Sequence, residues 1–341
     1  MRVVIPSATA TERVPGQCTQ VLELRPLPST SSGPSVREML LGSEGRLGII
    51  TEVWMHVHRL AEVREIQAYF FPDYDSGLKA AEEICHSDAS PMMLRVSDAS
   101  ETKFTMANGS KSSSKISHWV NQAVEKIMLA KGMDLDKICL SFIGFEGSSA
   151  HVRFQKSLVN RIVRKWGALG VGKGPGALYD EKKYDIPYIR DFLLDRGIPA
   201  DVSETTCPWS QVKDMHDRTV EAAEAAFART GHKGFIMCHL SHSYHIGACQ
   251  YFTFATSDGS ETSLETYDEV KRAVQQSFVD LGGTVSHHHG VGEEHSPWMA
   301  QDISEAGVHI QRALFEGVDP GHNLNPGKIV HDGEPGISSN S

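Results

Sequence analysis

Three adjacent imidazoles, His287, His288 and His289, lie between Ser286 and a Gly290-Val-Gly292 bend. Imidazole titrates near neutral pH, so such a run suits proton transfer or metal binding. On a strand, neighbours alternate faces, so at most His287 and His289 share one side. In an extended or looped geometry two of the three can still border one pocket. The two glycines permit a sharp bend beside a planar ligand. A surface histidine cluster accounts equally well for the same pattern.

A second stretch, Cys238-His-Leu-Ser-His-Ser-Tyr-His-Ile-Gly-Ala-Cys249, joins two strand-like runs. It places Tyr244 at a strand end, where a phenol can donate or accept a proton or simply pack. Two arginines are natural partners for phosphate, because a guanidinium offers a two-pronged fork. Arg95 closes a strand-like run, and Arg190 sits in Ile186-Pro-Tyr-Ile-Arg190-Asp191. A salt bridge is the plainer use of either; Asp191 and Asp195 are near Arg190 in sequence. The loop Gly42-Ser-Glu-Gly-Arg-Leu-Gly48 precedes a β-prone run. Such a turn either cradles a pyrophosphate with its N–H groups or is only tight. It matches neither a P-loop nor a GxGxxG fingerprint.

These groups need elements to hold them. Met1–Ile5 and Val21–Leu24 read as short strands, Ser29–Pro34 as a loop, and Leu47–His58 as a strand. Beyond residue 64, strands and helices alternate. Ile66–Phe71, Met92–Val96, Ile138–Phe145, Phe235–Leu240 and Gln250–Ala255 read as strands. The nearly all-apolar Ile138–Phe145 run predicts a central one. Helical spacing appears in Val159, Ile162 and Val163, and again in Tyr267, Val270, Val274, Phe278 and Leu281. The result is an α/β domain over roughly 61–285, followed by a helix near Ile303–Glu316.

The 341 residues carry a formal net charge of −10, which argues against a nucleic-acid surface built on net charge. No apolar run is long enough to span a membrane. The six cysteines form no C-x-x-C pair, so they are expected as reduced thiols in an intracellular compartment.

Taken in order, these stretches resemble the alkyldihydroxyacetonephosphate synthases of the FAD-binding vanillyl-alcohol-oxidase superfamily, in their C-terminal part. The residues carrying the resemblance are Gly42–Glu52, Met92-Met-Leu-Arg95, Pro187-Tyr-Ile-Arg190-Asp191, Ser203-Glu-Thr-Thr-Cys-Pro-Trp209, Tyr244 with Gly247-Ala-Cys249, and Ser286–Gly292. The resemblance implies a mixed α/β (α+β) fold. Residues 1–60 would be the remnant of an FAD-binding PCMH-type domain. Residues 61–289 would form a cap domain around a central, mostly antiparallel sheet. Residues 290–330 would return to the flavin, ahead of a disordered tail, 331–341.

It further implies that the acyl chain of acyl-dihydroxyacetone phosphate is exchanged for a long-chain alcohol, without net redox change, on non-covalent FAD. Arg190 would bind the substrate phosphate, Tyr244 would move a proton, and His287, His288 and His289 would border the flavin, one acting as base. Arg95 would support the active site. Gly42, Ser43, Glu44, Gly45, Arg46, Leu47, Gly48, Ile49 and Ile50 would hold FAD. No metal is implied. A homodimer, peripheral membrane contact and a cytoplasmic or peroxisomal location are implied, although Ser339-Asn-Ser341 is not a peroxisomal tripeptide.

Some positions depart from the family pattern. His239 and His242 stand where an arginine and a glutamine are expected, and Glu293 and Glu294 where a basic stretch is common. Asn325-Pro-Gly-Lys-Ile329 looks like the D-lactate and glycolate oxidase branch. No Pro-x-Gly-Gly-Gly phosphate loop occurs in these 341 residues, so weak or no FAD binding is expected of them alone. An FAD-dependent D-2-hydroxyacid oxidoreductase and a non-catalytic fragment lacking FAD therefore stay open as alternatives.

Overall fold

The computed structural model describes residues 1–6, 19–109, 124–184, 188–256 and 263–330. The chain divides into two compact units, Met1–His58 with Val285–Ser341, and Arg59–Thr284. The sequence reading put these divisions at 60/61 and 289/290.

The smaller unit begins with β1 (Arg2–Pro6) and β2 (Thr19–Glu23), then α1 (Val36–Leu40) and β3 (Ile49–Glu52). They make a three-stranded antiparallel sheet in the order β2-β1-β3, with Val3 opposite both Leu22 and Ile50. The strand expected over Leu47–His58 is realised only over Ile49–Glu52. Met55 and Val57 beyond it stay 77% and 80% exposed, without a paired strand. β-branched and aromatic residues favour a pleated surface but cannot supply the partner.

The larger unit opens with β4 (Val63–Phe71), α2 (Tyr74–Cys85), β5 (Met93–Ser97) and α3 (Ala99–Gly109). A helical stretch at 124–130 (α4) leads to β6 (Cys139–Gly147), α5 (Ser149–Lys165), β7 (Leu169–Gly172), α6 (Gly174–Lys182) and α7 (Tyr188–Leu194). Next come β8 (Ala200–Pro208), α8 (Trp209–Thr230), β9 (Gly234–Ser243), β10 (Gly247–Thr256) and α9 (Ser263–Asp280). Seven strands pair in the order β7-β4-β6-β5-β9-β10-β8, every neighbour antiparallel. The return segment of the smaller unit carries α10 (Met299–Val318), broken at Ser304.

Strand pleating explains why β6 reads as continuously apolar. Cys139, Ile143 and Phe145 enter one core with Val159 and Ile162 of α5, Met215 of α8 and Val274 and Phe278 of α9. Leu140 and Phe142 enter a second core on the opposite face with Ile66, Phe70 and Met128. Both faces of the strand are therefore covered. Each fully buried Phe or Val contributes about 1.5–3 kcal/mol relative to exposure. The helices have ordinary stops and starts. The Ser148 hydroxyl accepts from His151 N to cap α5, and Gly231 in the left-handed region ends α8.

Cys85, Cys139, Cys207, Cys238 and Cys249 are thiols, and Cys18 and the 331–341 tail lie outside the described residues. No helix among the described residues is long and apolar enough to cross a membrane.

A buried polar contact ties α8 of the larger unit to the junction between β5 and α3. His216 of α8 places Nε2 3.2 Å from Asp98 Oδ2 and Nδ1 2.9 Å from Asp217 Oδ1. Burial disfavours the imidazolium, but Asp217 and Asp98 outweigh it and raise its pKa above the usual value. A raised folded-state pKa stabilises fully below the unfolded value, near pH ~6.5, and that stability is lost as pH climbs through the folded value. His216→Gln should therefore cost about 1–3 kcal/mol at pH ~6 and progressively less towards pH ~9. Denaturant melts of both proteins at the two pH values check this; a cost that grows with pH contradicts it.

Candidate active site

In the smaller unit, the loop expected to hold FAD is fastened to the bend that follows the three histidines. Glu44 Oε1 accepts from Val291 N at 2.6 Å, and Oε2 accepts from Gly292 N at 2.8 Å. The Asn325 side chain donates to the Glu44 carbonyl at 2.6 Å. Arg46 is 4% exposed, donates to the carbonyls of Lys328 and Val330, and lies over the Phe315 ring. Gly290 takes φ +87°, and a Cβ there would meet Glu44 Oε1 at 2.7 Å. Glycine at this position thus follows from the clasp itself.

His287, His288 and His289 lie on a bend with no strand pairing. The expectation that two of them share a strand face therefore does not apply; the looped geometry does. Their rings pack edge on, with centroids 5.2 Å and then 4.5 Å apart, and Nδ1 of His287 lies 3.0 Å from Nδ1 of His288.

In the larger unit, Arg95 is held in a buried polar cluster. Its Nη2 donates to Glu101 Oε1 at 2.7 Å and to His239 Nδ1 at 3.1 Å. His239 stacks on Tyr251 at 4.8 Å, and Arg95 lies 5.7 Å from the Tyr179 ring. Burial works against the charge on Arg95, but Glu101 outweighs it and raises the guanidinium pKa further. Burial likewise raises the Glu101 carboxyl, yet Arg95 and His239 hold it well below the usual carboxylate range. For His239, burial and then Arg95 lower the pKa, so the ring is neutral.

Arg190, on α7, has a side chain 61% exposed, its Nε donating to the Ala200 carbonyl at 3.3 Å. Its Nη2 is 3.8 Å from Asp201 Oδ1; the bridge suggested with Asp191 or Asp195 is made with Asp201 instead. Asp201 also receives Tyr267 Oη and Lys271 Nζ at 2.8 and 2.9 Å. Tyr244 lies on the β9–β10 connection, its carbonyl accepting from Trp209 Nε1 and its N–H donating to Gly247 O. Burial, then Cys249 and Glu204, raise its phenol above the ordinary value, so it carries its proton at neutral pH.

Sequence reasoning did not name Glu101, Tyr251 or Tyr179. A signal for Glu101 was present: Asp98-x-x-Glu101 has capping-box spacing at a helix start.

Residues 60–329 match the family of FAD linked oxidases, C-terminal domain. The chain belongs to the FAD-linked oxidase C-terminal domain family. Within this family it is 36% identical over 313 residues to an alkyldihydroxyacetonephosphate synthase of Dictyostelium discoideum, covering 92% of this chain and 51% of the relative. The corresponding protein of Trypanosoma brucei brucei is 32% identical, covering 89% and 50%. A solved alkyldihydroxyacetonephosphate synthase superposes with a TM-score of 0.70 at 32% identity, over 90% of this chain and 50% of that one. The chain thus spans about half the length of the relatives it matches.

FAD is the cofactor of the family. The residues present offer it one feature. Gly42 takes φ +82° with no atom within 4 Å of the position a Cβ would occupy, so a ligand can approach the backbone there. The carboxylate of Glu44 and the guanidinium of Arg46 are committed to the unit's own backbone. Glu44→Ala should cost about 1–3 kcal/mol. It should also speed amide exchange at Val291 and Gly292 while leaving β9 unchanged. Hydrogen-exchange mass spectrometry reads this directly; unchanged exchange at residues 287–292 contradicts the clasp.

Proposed function

We propose that this chain is the C-terminal part of an alkyldihydroxyacetonephosphate synthase. Such an enzyme exchanges the acyl chain of acyl-dihydroxyacetone phosphate for a fatty alcohol in ether-lipid synthesis. The observation that carries the reading is the contrast in identity. Over nearly the same stretch, the chain is 36% identical to the Dictyostelium discoideum synthase but 22% identical to the glycolate oxidase subunit GlcD of Bacillus subtilis.

The side chains are suited to this chemistry. FAD, when bound, supplies the bond exchange at the substrate carbon. Arg190, exposed and close to a second cation, Lys271, takes the substrate phosphate. Tyr244, protonated at neutral pH, donates from Oη to a departing or attacking oxygen. One of His287, His288 and His289 removes the proton from the carbon beside the ketone. Arg95 supports the active site.

The test is incorporation of isotope-labelled hexadecanol into ether product by the purified protein supplied with FAD and acyl-dihydroxyacetone phosphate. Ether should form with one fatty acid released per turnover. Arg190→Met should raise KM for the phosphate substrate about 10-fold to 100-fold, the loss of one charged hydrogen-bond partner. Tyr244→Phe should lower kcat with KM nearly unchanged. Dye reduction dependent on D-lactate, without ether formation, would transfer the chain to the hydroxyacid oxidoreductases. Neither activity, with no flavin retained, would leave the non-catalytic reading.

A further inference from the structure

Tyr267 and Lys271 stand four residues apart on α9, so they share one face of that helix. Both reach the same oxygen of Asp201, which sits opposite Phe254 in the β8–β10 ladder. Tyr267 Oη donates to Asp201 Oδ2 at 2.8 Å, and Lys271 Nζ donates to it at 2.9 Å. A second hydrogen of Nζ goes to the Val202 carbonyl at 3.0 Å. The Lys271 and Asp201 side chains are 6% and 13% exposed, so water and salt screen this pair weakly. Arg190 meets the other oxygen. Its Nη2 lies 3.8 Å from Oδ1, an ion contact beyond hydrogen-bond length. Its one hydrogen bond among the described residues runs from Nε to the Ala200 carbonyl at 3.3 Å. That bond holds an exposed guanidinium beside β8. Asp191 is next to Arg190 on α7, but consecutive helical residues do not face each other.

The two cations therefore hold Asp201 unequally. Burial raises the Asp201 carboxyl, but Lys271 outweighs it, helped by the Val202 N–H and Tyr267, and holds the group below the usual carboxylate range. The carboxylate stays ionised without a close contact from Arg190. With Lys271 replaced by an apolar residue, a half-buried anion would lose its main partner and draw on Arg190 instead. A guanidinium neutralised in that way has little charge left for an anion from solvent. With Lys271 in place, Arg190, Asp201 and Lys271 carry one net positive charge between them, and the exposed member of the three is Arg190. A phosphate dianion suits that surface, since the guanidinium presents a planar fork of donors.

We propose that Lys271 is a positioning residue that satisfies Asp201 from α9 and so leaves the charge of Arg190 to a phosphate monoester. The proposal rests on the reading of Arg190 as the phosphate ligand; it does not depend on the alkyl exchange.

Calorimetric titration of the full chain with glycerol phosphate tests this, at low ionic strength and pH ~7.5, where a phosphate monoester is mostly dianionic. Lys271→Met should weaken binding about 5-fold, the loss of one nearby positive charge. Arg190→Met should weaken it more, because the ligand itself is lost. Adding Asp201→Asn to Lys271→Met returns the group to one net positive charge and should restore the affinity. Asp201→Asn alone should tighten binding. A lysine that only props up the fold would not be rescued by removing a second buried group, so the double variant separates the two roles. No rescue in the folded double variant overturns the proposal. Where Lys271→Met alone does not fold, Asp201→Asn decides: unchanged or weaker binding there makes Asp201 a support for Arg190 and overturns the proposal. Wild type binding lactate as well as glycerol phosphate overturns the assignment of a phosphate ligand. In the alkyl-exchange assay Lys271→Met should raise KM for acyl-dihydroxyacetone phosphate with kcat nearly unchanged. Absence of ether product in wild type, with the order of affinities intact, refutes the synthase reading and leaves the role of Lys271 standing.

Discussion

Taking the carboxylate of Asp98 out of water costs several kcal/mol unless every lone pair finds a partner. Oδ1 takes the N–H of Glu101, and Oδ2 takes the N–H of Cys238 and faces Nε2 of His216. Those partners belong to α3, β9 and α8, which no run of local sequence brings together. Satisfying one buried anion therefore fixes where α3 begins, how it meets the sheet, and where the longest helix lies. Glu101 inherits its position from that arrangement. So do Arg95 and His239, whose strands are pinned at the same end. The polar cluster is rigid because the carboxylate three residues before Glu101 cannot be released without stranding a charge.

The smaller unit uses the same device with different partners. The Glu44 carboxylate spends both oxygens on consecutive backbone N–H groups at a glycine bend, an arrangement that excludes a side chain at Gly290. Those N–H groups sit two and three residues beyond His289, so the orientation of the imidazole run is set by an acidic residue about 250 positions away in sequence. In both units an acidic group next to a suspected catalytic stretch accepts from backbone N–H groups. That is how a carboxylate, acceptor-only when ionised, is most economically used.

Most of the sheet was legible because burial on both faces leaves a sequence mark. The Ile138–Phe145 run has no polar interruption beyond Ser141, whose hydroxyl is absorbed by the Arg95 carbonyl. Helices α5 and α9 were legible through their apolar stripes. Helix α8 was not. It starts directly after Pro208 without a side-chain cap, so its first residues read only as the end of the Ser203–Trp209 motif. The strand expected through His58 failed for the opposite reason: strong β propensity without a partner. At the site, Arg95, Arg190, Tyr244 and the three histidines were visible as residue types suited to chemistry. What set their states was not, because a neutral His239 and a clamped Arg95 depend on distances between strands.

Those distances bear on which chemistry the family member performs. An oxidoreductase acting on a small hydroxyacid needs to bind one carboxylate and accept a hydride, and a single cationic centre suffices. A synthase acting on an acyl ester of a ketone phosphate must hold a dianion at one end and an acyl oxygen at the other. The larger unit contains two arginine environments that differ in the required sense. One is exposed and carries net positive charge around Asp201; the other is half-buried and charge-balanced by Glu101. A guanidinium cannot be tuned by titration within the physiological range. Its neighbours must therefore make any distinction, and here Asp201 is shared between Arg190 and Lys271 while Glu101 faces Arg95. Two arginines of one unit thus stand in environments of different net charge, one shared with Asp201 and Lys271 and one with Glu101.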